Sequence, residues 1–281
     1  FIHFGLTSQD INNTAIPLSI KEFISNIYIP ELDKLINHLD EISEKYKDIT
    51  IISRTHGQPA SPTKLGKEIL VFSTRIKNQR KSLMQIPNSA KFGGAVGNFN
   101  AHKVAFPKIN WKAFGKKFVE SELNLDYSFP TTQIEHYDSF ASLCDNVRRI
   151  NNILLDLSLD IWTYISLDYF KQKIKNDEVG SSAMPHKINP IDFENAEGNI
   201  GVANSIFDFF SNKLTKSRLQ RDLSDSTVLR NIGVPFSHTI ISIKSIIKGL
   251  DKLIVNKSKI NADLEERKVF DGVVPFIAGG G

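Results

Sequence analysis

Apolar residues recur at steps of three and four along five long stretches of this chain of 281 residues. That spacing puts them on one side of an α-helix, so each stretch predicts an amphipathic helix with a buried face. We find no alternation of apolar and polar residues long enough to predict a sheet. The chain is therefore predicted to be all-α, a bundle of long helices. The five stripes fall within residues 32–46, 65–83, 143–161, 200–214 and 236–254.

The longest predicted helix opens at residues 131–135 and continues to about residue 171. At a rise of 1.5 Å per residue, a helix of that length extends roughly 60 Å. Helices of ordinary domains average about twelve residues, so such a rod needs packing partners along its length. This favours a bundle assembled from several chains. Pro17 and Pro30 lie near the start and middle of the helical run that carries the first stripe, where they are expected to cap, kink or break it.

A polar segment at residues 180–190, Gly-Ser-Ser-Ala-Met-Pro-His-Lys-Ile-Asn-Pro, separates two of the stripes and shares the period of neither. Asn189 before Pro190 is typical of a helix N-cap followed by the first helical residue. Free N–H groups at a helix start, together with the positive charge of Lys187, favour an anion-binding loop. The alternative is a plain linker, because loops rich in glycine and serine usually only connect elements.

Two further polar segments carry candidate groups near the front of the chain. Thr7 and Asp10 have the spacing of a capping box with Asp in place of Glu, which predicts a helix start at Thr7 and Ser8. His56 lies beside Arg54 and Thr55 in a segment whose Gly and Pro predict a loop or bend. An imidazole there is suited to moving a proton near neutral pH, although a single histidine is more often structural.

The last two polar segments bear on anion binding. Residues 213–230 are the most basic stretch, read either as a solvated charged face or as a site for phosphate or carboxylate. The glycine run at 93–97 lacks both a P-loop lysine and a preceding strand, so we interpret it first as a bend between helices.

Composition and charge argue against several classes of protein function. The net charge is +4 and the pI about 8.9, without a dense Lys/Arg block, so nucleic-acid binding has little support. No apolar run reaches the length of a membrane span, and no secretory signal precedes the first helix. The single Cys144 excludes an internal disulfide and fits a reducing, cytoplasmic setting. No cluster of Cys and His residues has metal-ligand spacing. Because the chain begins without Met inside a motif-like stretch, we read it as a fragment.

Residues 180–190 match every fixed position of the pattern Gly-Ser-Ser-x-Met-Pro-x-Lys-x-Asn-Pro, and so resemble the signature loop of the fumarase/aspartase superfamily, lyases that release fumarate. Residues 7–15, the run Thr-His-Gly-Gln-Pro at 55–59 and the run Ser-Thr-Val-Leu-Arg at 226–230 are similar to the bacterial-type adenylosuccinate lyase branch. The resemblance implies that Ser181 is the general base and His56 the general acid. It implies substrate binding by Thr7, Ser8, Thr55, Gln133, Lys187, Asn189, Asn195, Arg221, Ser226, Thr227 and Arg230.

The same resemblance implies a fold, a partner and a reaction. It implies a β-elimination on a small nucleotide substrate, without metal or organic cofactor, in a homotetramer whose active sites are shared between chains. The expected organisation is a central helical bundle at residues 1–250 and the start of a C-terminal domain at 251–281, with an N-terminal domain missing. The alternative function is an inactive or scaffold-type relative that keeps the bundle. Neither nucleic acid nor membrane is expected as a partner.

Overall fold

A computed structural model describes residues 2–173 and 188–270, and the side chains of residues 267–270 are outside that description. Helices dominate it, which confirms the all-α prediction. The helices are α1 Ser8–Phe23, α2 Ile29–Lys45, α3 Leu65–Leu83, α4 Asn100–Ala105, α5 Trp111–Lys117, α6 Asp138–Ser166, α7 Ile191–Leu214, α8 Ser224–Leu229, α9 Gly233–Leu250 and α10 Lys257–Phe270. The strands are β1 Thr50–Thr55, β2 Gln58–Lys64, β3 Ser89–Ala90, β4 Asp126–Tyr127, β5 Phe170–Gln172 and β6 Leu253–Val255.

The five apolar stripes correspond to α2, α3, α6, α7 and α9, the five longest of the described helices. Most of their stripe positions are buried: Leu35, Leu39 and Ile76, for example, are 0% exposed. Only the end of the last stripe was wrong. Helix α9 ends at Leu250, and Ile254 lies in β6, which pairs with β5.

Neither proline of the first helical stretch ends it. Pro17 lies inside α1, and Pro30 is the second residue of α2. Between the two helices the turn Ile24–Tyr28 is π-helical, and the N–H of Ile29 donates to the carbonyl of Ile24, five residues back. This widened turn lies directly before Pro30, which has no N–H to donate, so the irregularity is absorbed without breaking the helix.

The longest helix begins later and ends earlier than the sequence predicts, since it spans Asp138–Ser166. Helix α6 starts at Asp138 and has 29 residues, or about 44 Å. Tyr137 just before it has a φ of 60°, a left-handed conformation that no helix continues through. Side chains hold this entry: the N–H of Glu135 donates to Asn13 Oδ1, and the N–H of Tyr137 donates to Glu135 Oε2. Residues 131–137 are therefore an irregular segment.

The expectation of no sheet was wrong, because residues 2–173 and 188–270 contain three small two-stranded sheets. The largest is the antiparallel hairpin β1–β2, which turns through His56 and Gly57 with φ of 54° and 73°. Two positive φ values in a two-residue loop are the mark of a type I′ turn. A register shift between Ile52 and Arg54 interrupts the alternation of side chains, which hides the strand from a period-two search.

The described residues fall into two compact units, each built from three separated segments. Unit A contains the described residues of 1–33, 78–152 and 199–241, and unit B those of 34–77, 153–198 and 242–281. The boundaries fall inside α2, α3, α6, α7 and α9. In unit A an aromatic-rich core surrounds Phe92, Phe99 and Trp111.

In unit B, α2 and α3 pack closely at Gly66. A Cβ added at Gly66 would lie 2.2 Å from the backbone oxygen of Ser43 and 2.7 Å from Cα of Lys47. Ser43 lies in α2 and Lys47 in the turn directly after it, and these backbone atoms have little freedom to move away. Glycine at this position is thus a packing requirement of the two helices.

We therefore expect Gly66→Ala to lower the free energy of unfolding by about 2 kcal/mol, since overpacking typically costs 1–3 kcal/mol. The matched control is Gly198→Ala in α7, where an added Cβ meets nothing within 4 Å. Its loss of backbone entropy in the unfolded chain should stabilise by up to about 1 kcal/mol. Denaturant unfolding of both variants measures the difference, and equal effects would contradict the packing argument.

Candidate active site

Three segments far apart in the sequence, around residues 8, 133 and 221–226, meet in unit A at the guanidinium of Arg221. Its Nη1 donates to Ser8 Oγ at 3.5 Å and to Gln133 Oε1 at 3.4 Å, and its Nη2 donates to Ser226 Oγ at 3.2 Å. The Arg221 side chain is 17% exposed, so the group is sheltered yet reachable from solvent. Four candidate residues of the sequence analysis are thus brought into direct contact.

The predicted capping box places Ser8 in this group. Thr7 is the N-cap of α1, its N–H donates to Asp10 Oδ2 at 2.8 Å, and the N–H of Asp10 donates to the carbonyl of Thr7 at 3.0 Å. The prediction of a helix start at Thr7 and Ser8, with Asp at the third helical position, is confirmed. This cap presents the Ser8 hydroxyl toward Arg221.

The Asp10 side chain holds the glycine run at residues 93–97 against the start of α1. Its Oδ1 accepts from Lys91 Nζ at 2.7 Å, from the N–H of Gly93 at 2.8 Å and from the N–H of Gly94 at 3.1 Å. The side chains of both Asp10 and Lys91 are 0% exposed. The glycine run, which resembles a phosphate loop, therefore uses its N–H groups on a carboxylate of the same chain. Burial lowers the pKa of Lys91, which the Asp10 hydrogen bond partly offsets.

A second buried carboxylate lies next to Arg221. Asp225 Oδ1 is 3.7 Å from Arg221 Nη2 and accepts from Ser226 Oγ at 3.4 Å. Its Oδ2 accepts from the Tyr137 hydroxyl at 3.4 Å, and that hydroxyl accepts from Asn13 Nδ2 at 2.8 Å. Sequence reasoning missed these three residues. The spacing of four between Arg221 and Asp225 was the available signal, although it lies outside a predicted helix.

Glu135 is the third buried carboxyl group of this region. Its Oε2 accepts from the N–H of Tyr137 at 2.7 Å and its Oε1 from Ser128 Oγ at 3.3 Å. Desolvation raises its pKa, the nearby charge of Asp138 acts in the same direction, and the two hydrogen bonds and His136 oppose the shift. The protonated form of Glu135 is consequently favoured relative to an ordinary glutamate.

Thr227 and Arg230 do not join the contacts of Arg221. Thr227 lies on α8 and Arg230 is its C-cap, and both are exposed. They leave a polar, positively charged rim beside Ser226 that is open to solvent.

Four other candidates belong to unit B. Thr55 ends β1 and His56 opens the turn of the hairpin, and both side chains are exposed. Arg54 Nη1 donates to the carbonyl of Gly57 at 3.4 Å, which closes the turn on itself. The imidazole is therefore carried at the tip of a hairpin whose turn geometry is set by the backbone.

Asn189 and Asn195 lie at the start of α7. The carbonyl of Pro190 accepts from the N–H groups of Phe193 and Glu194, so Pro190 occupies the N-cap position. The prediction of Asn189 as N-cap was wrong by one residue, within the usual ambiguity of helix ends. Asn195 Nδ2 donates to Ser245 Oγ on α9 at 3.0 Å. Ser181 and Lys187 lie outside the described residues.

A metal site, a membrane-spanning helix and an exposed thiol are all missing from the part of the chain that the structure describes. No three His, Cys, Asp or Glu side chains there are grouped as metal ligands. None of the helices in residues 2–173 and 188–270 is both long and apolar enough to cross a membrane. Cys144 is buried, and burial raises the pKa of its thiol.

A helical bundle with a cluster of hydroxyl groups around a guanidinium is consistent with one family of proteins. The chain belongs to the family described as Lyase, whose sequence model matches residues 1–205. A second model, described as Adenylosuccinate lyase C-terminal, matches residues 217–270.

Curated relatives carry a more particular name. The chain is 59% identical over 268 residues to an adenylosuccinate lyase of Dictyostelium discoideum, covering 94% of this chain and 58% of that protein. It is 52% identical to that of Legionella pneumophila strain Corby, covering 95% and 58%. It is 46% identical to that of Escherichia coli K12, covering 94% and 58%. The chain thus spans 58% of the length of these relatives.

We expect Lys91→Met to lower the free energy of unfolding by about 3–5 kcal/mol, because it leaves the Asp10 carboxylate buried without its counter-charge. The control is Lys116→Met, which removes an exposed pair with Glu120 at 3.8 Å and should cost less than about 1 kcal/mol. Chemical denaturation compares them. Similar costs for the two variants would show that the buried pair is not an anchor.

Glu135 makes a prediction about pH. A carboxyl whose native pKa is raised contributes stability at low pH that is lost as pH rises through the native pKa. Glu135→Gln cannot ionise, so its melting temperature relative to wild type should increase from pH 4 to pH 7. Thermal melts across that range measure it, with the exposed Glu122→Gln as a control whose difference should stay near zero. A constant or falling difference for Glu135→Gln would refute the assignment.

Proposed function

We propose that the protein is a carbon-nitrogen lyase of purine biosynthesis that cleaves adenylosuccinate to AMP and fumarate. We propose that it also cleaves the succinylated aminoimidazole carboxamide ribotide to its product and fumarate. Membership of the lyase family and the names of its relatives support this function. The observation that carries it is the meeting of Ser8, Gln133 and Ser226 on the guanidinium of Arg221.

The chemistry of that cluster suits an anionic nucleotide. A guanidinium presents its N–H groups as a planar fork that matches phosphate and carboxylate oxygens. Here its described contacts with Ser8, Gln133 and Ser226 are neutral and 3.2–3.5 Å long, so an incoming phosphate can displace or extend them. In the proposed complex Arg221, Ser8 and Ser226 hold the phosphate, with Thr227 and Arg230 at its exposed rim. Thr7 and Gln133 bind the rest of the substrate.

The proposed reaction is a β-elimination. Ser181 removes a proton from the succinyl carbon next to the carbon that bears nitrogen, and the adjacent carboxylate takes up the negative charge. The C–N bond then breaks, the carbon–carbon double bond of fumarate forms, and the electron pair leaves with nitrogen. His56 donates a proton to that nitrogen, which completes the balance. The exposed position of His56 at a hairpin tip supports this role, because the imidazole is free to meet a substrate.

Electrostatic stabilisation of the doubly charged carboxylate is the largest contribution expected in such a step. We assign it to Lys187, Thr55 and the free N–H groups at the start of α7, with Asn189 and Asn195 contacting the substrate from the same end. A serine hydroxyl is a weak base, so the charge of Lys187 and the nearby N–H donors must also lower the pKa of Ser181 when the substrate is enclosed.

We propose a cytoplasmic homotetramer whose active sites combine residues of several chains. Exposed apolar residues on the two longest helices support the assembly: Leu159 and Trp162 on α6 are 45% and 43% exposed, and Val202 and Phe209 on α7 are 44% and 52% exposed. The two residues of each pair are three or seven positions apart and so lie on one side of their helix, where exposed large apolar side chains favour burial against a partner. We retain residues 1–250 as the proposed central domain, with the C-terminal domain starting at 251.

We expect the complete protein to convert adenylosuccinate to AMP, followed by the change in ultraviolet absorbance. Ser181→Ala and His56→Ala should each reduce kcat by about 10²–10⁴-fold, the usual contribution of a general acid or base. The control is His38→Gln, a histidine of α2 whose partners are Glu41 and Asp251. A complete protein without turnover, or one indifferent to both substitutions, would favour a scaffold that retains the bundle.

A further inference from the structure

Arg221 and Ser226 rest on a buried layer that the proposed chemistry does not use. Asp225 lies between them in sequence, its side chain is 8% exposed, and it faces both, at 3.7 Å from Arg221 Nη2 and 3.4 Å from Ser226 Oγ. Its other oxygen accepts from the hydroxyl of Tyr137 at 3.4 Å. The carboxylate therefore connects the anion-binding groups to the entry of α6.

Tyr137 is fixed in turn by Asn13 of α1. The amide Nδ2 of Asn13 donates to the Tyr137 hydroxyl at 2.8 Å, while its Oδ1 accepts the N–H of Glu135 at 3.0 Å. Both ends of one amide side chain are thus used by residues more than 120 positions away. Burial raises the pKa of Tyr137, so its hydroxyl keeps its proton and acts as the donor to Asp225.

The hydrogen bonds from Asn13 to Tyr137 and from Tyr137 to Asp225 fix the Asp225 carboxylate, and its orientation affects Arg221. An arginine can rotate about four side-chain bonds, and its contacts with Ser8 and Gln133 are long. Asp225 draws the guanidinium to one side, and at 3.7 Å it does so without a tight bidentate pair that would compete with a substrate anion. A carboxylate that itself turned freely could not provide that orientation.

We propose that Asp225, Tyr137 and Asn13 are positioning residues that orient Arg221 and Ser226 for the phosphate of the nucleotide, and so set the affinity of the site for that end of the substrate. This inference rests on the proposed function. It predicts that these residues strengthen phosphate binding by the same amount in the ground state and in the transition state. The rate of the chemical step should therefore not depend on them.

The test is Tyr137→Phe in the complete protein, because it removes only the hydroxyl and leaves every charge in place. The KM for adenylosuccinate should rise about tenfold while kcat stays within about twofold, the effect of losing a hydrogen bond to a charged group. The inhibition constant of AMP, which carries the phosphate, should rise by the same factor. That of fumarate, which lacks it, should not change.

Tyr28→Phe is the matched control. Tyr28 is also buried in unit A, at 0% exposure, but its hydroxyl has no hydrogen-bond partner among the described residues. Removing it should leave KM and both inhibition constants unchanged. A Tyr137→Phe protein that melts lower but keeps its KM and its AMP inhibition constant would reduce the layer to a structural role and overturn the proposal.

Asp225→Asn is a second variant, for the case in which Tyr137→Phe does not fold. It keeps the shape of the side chain and loses its charge. Positioning predicts a higher KM, whereas a carboxylate that merely repels the phosphate predicts a lower KM, which would overturn the proposal. Calorimetric titration of AMP distinguishes failure of the proposed function from failure of the positioning layer. If the complete protein shows no turnover but Tyr137→Phe weakens its binding of AMP, the proposed function fails and the positioning layer stands. If wild type and variant bind AMP equally, or neither binds it, the positioning layer fails.

Discussion

The arrangement of unit A depends on one buried carboxylate. A charged Asp10 side chain without access to water is tolerable only if donors surround it, and it has four: Lys91, Gly93, Gly94 and the N–H of Thr7. None of these bonds can be given up cheaply, so the start of α1 and the glycine run must stay together. Ser8, next to that helix start, is thereby held where Arg221 reaches it.

The irregular backbone before α6 has the same origin. In a helix through residues 131–137 the N–H groups of Glu135 and Tyr137 would bond to backbone carbonyls four residues back, whereas here the side chains of Asn13 and Glu135 accept them. Leaving the helix frees Gln133 to accept from Arg221 and places the Tyr137 hydroxyl against Asp225. The hydrogen bonds that keep residues 131–137 out of a helix therefore also build the anion-binding cluster.

Local features were predictable where one physical rule dominates. The stripes at steps of three and four located the five long helices, since burial of a helix face requires that period. The capping box at Thr7 and Asp10 was readable for the same reason, because both partners lie within one turn. The hairpin was not, since its bulge between Ile52 and Arg54 shifts the alternation that would have marked a strand.

The sequence by itself thus determined the helical class, the main helices, the cap that presents Ser8 and the residue types suited to anions and proton transfer. Its motifs also named Arg221, Gln133 and Ser226 separately. Only the tertiary structure decided that these three share one cluster with Ser8, and that Asp10 bonds Lys91 across 81 positions and Tyr137 meets Asp225 across 88. The reason is that such bonds depend on how distant segments pack, and a periodicity or a cap carries information about near neighbours alone.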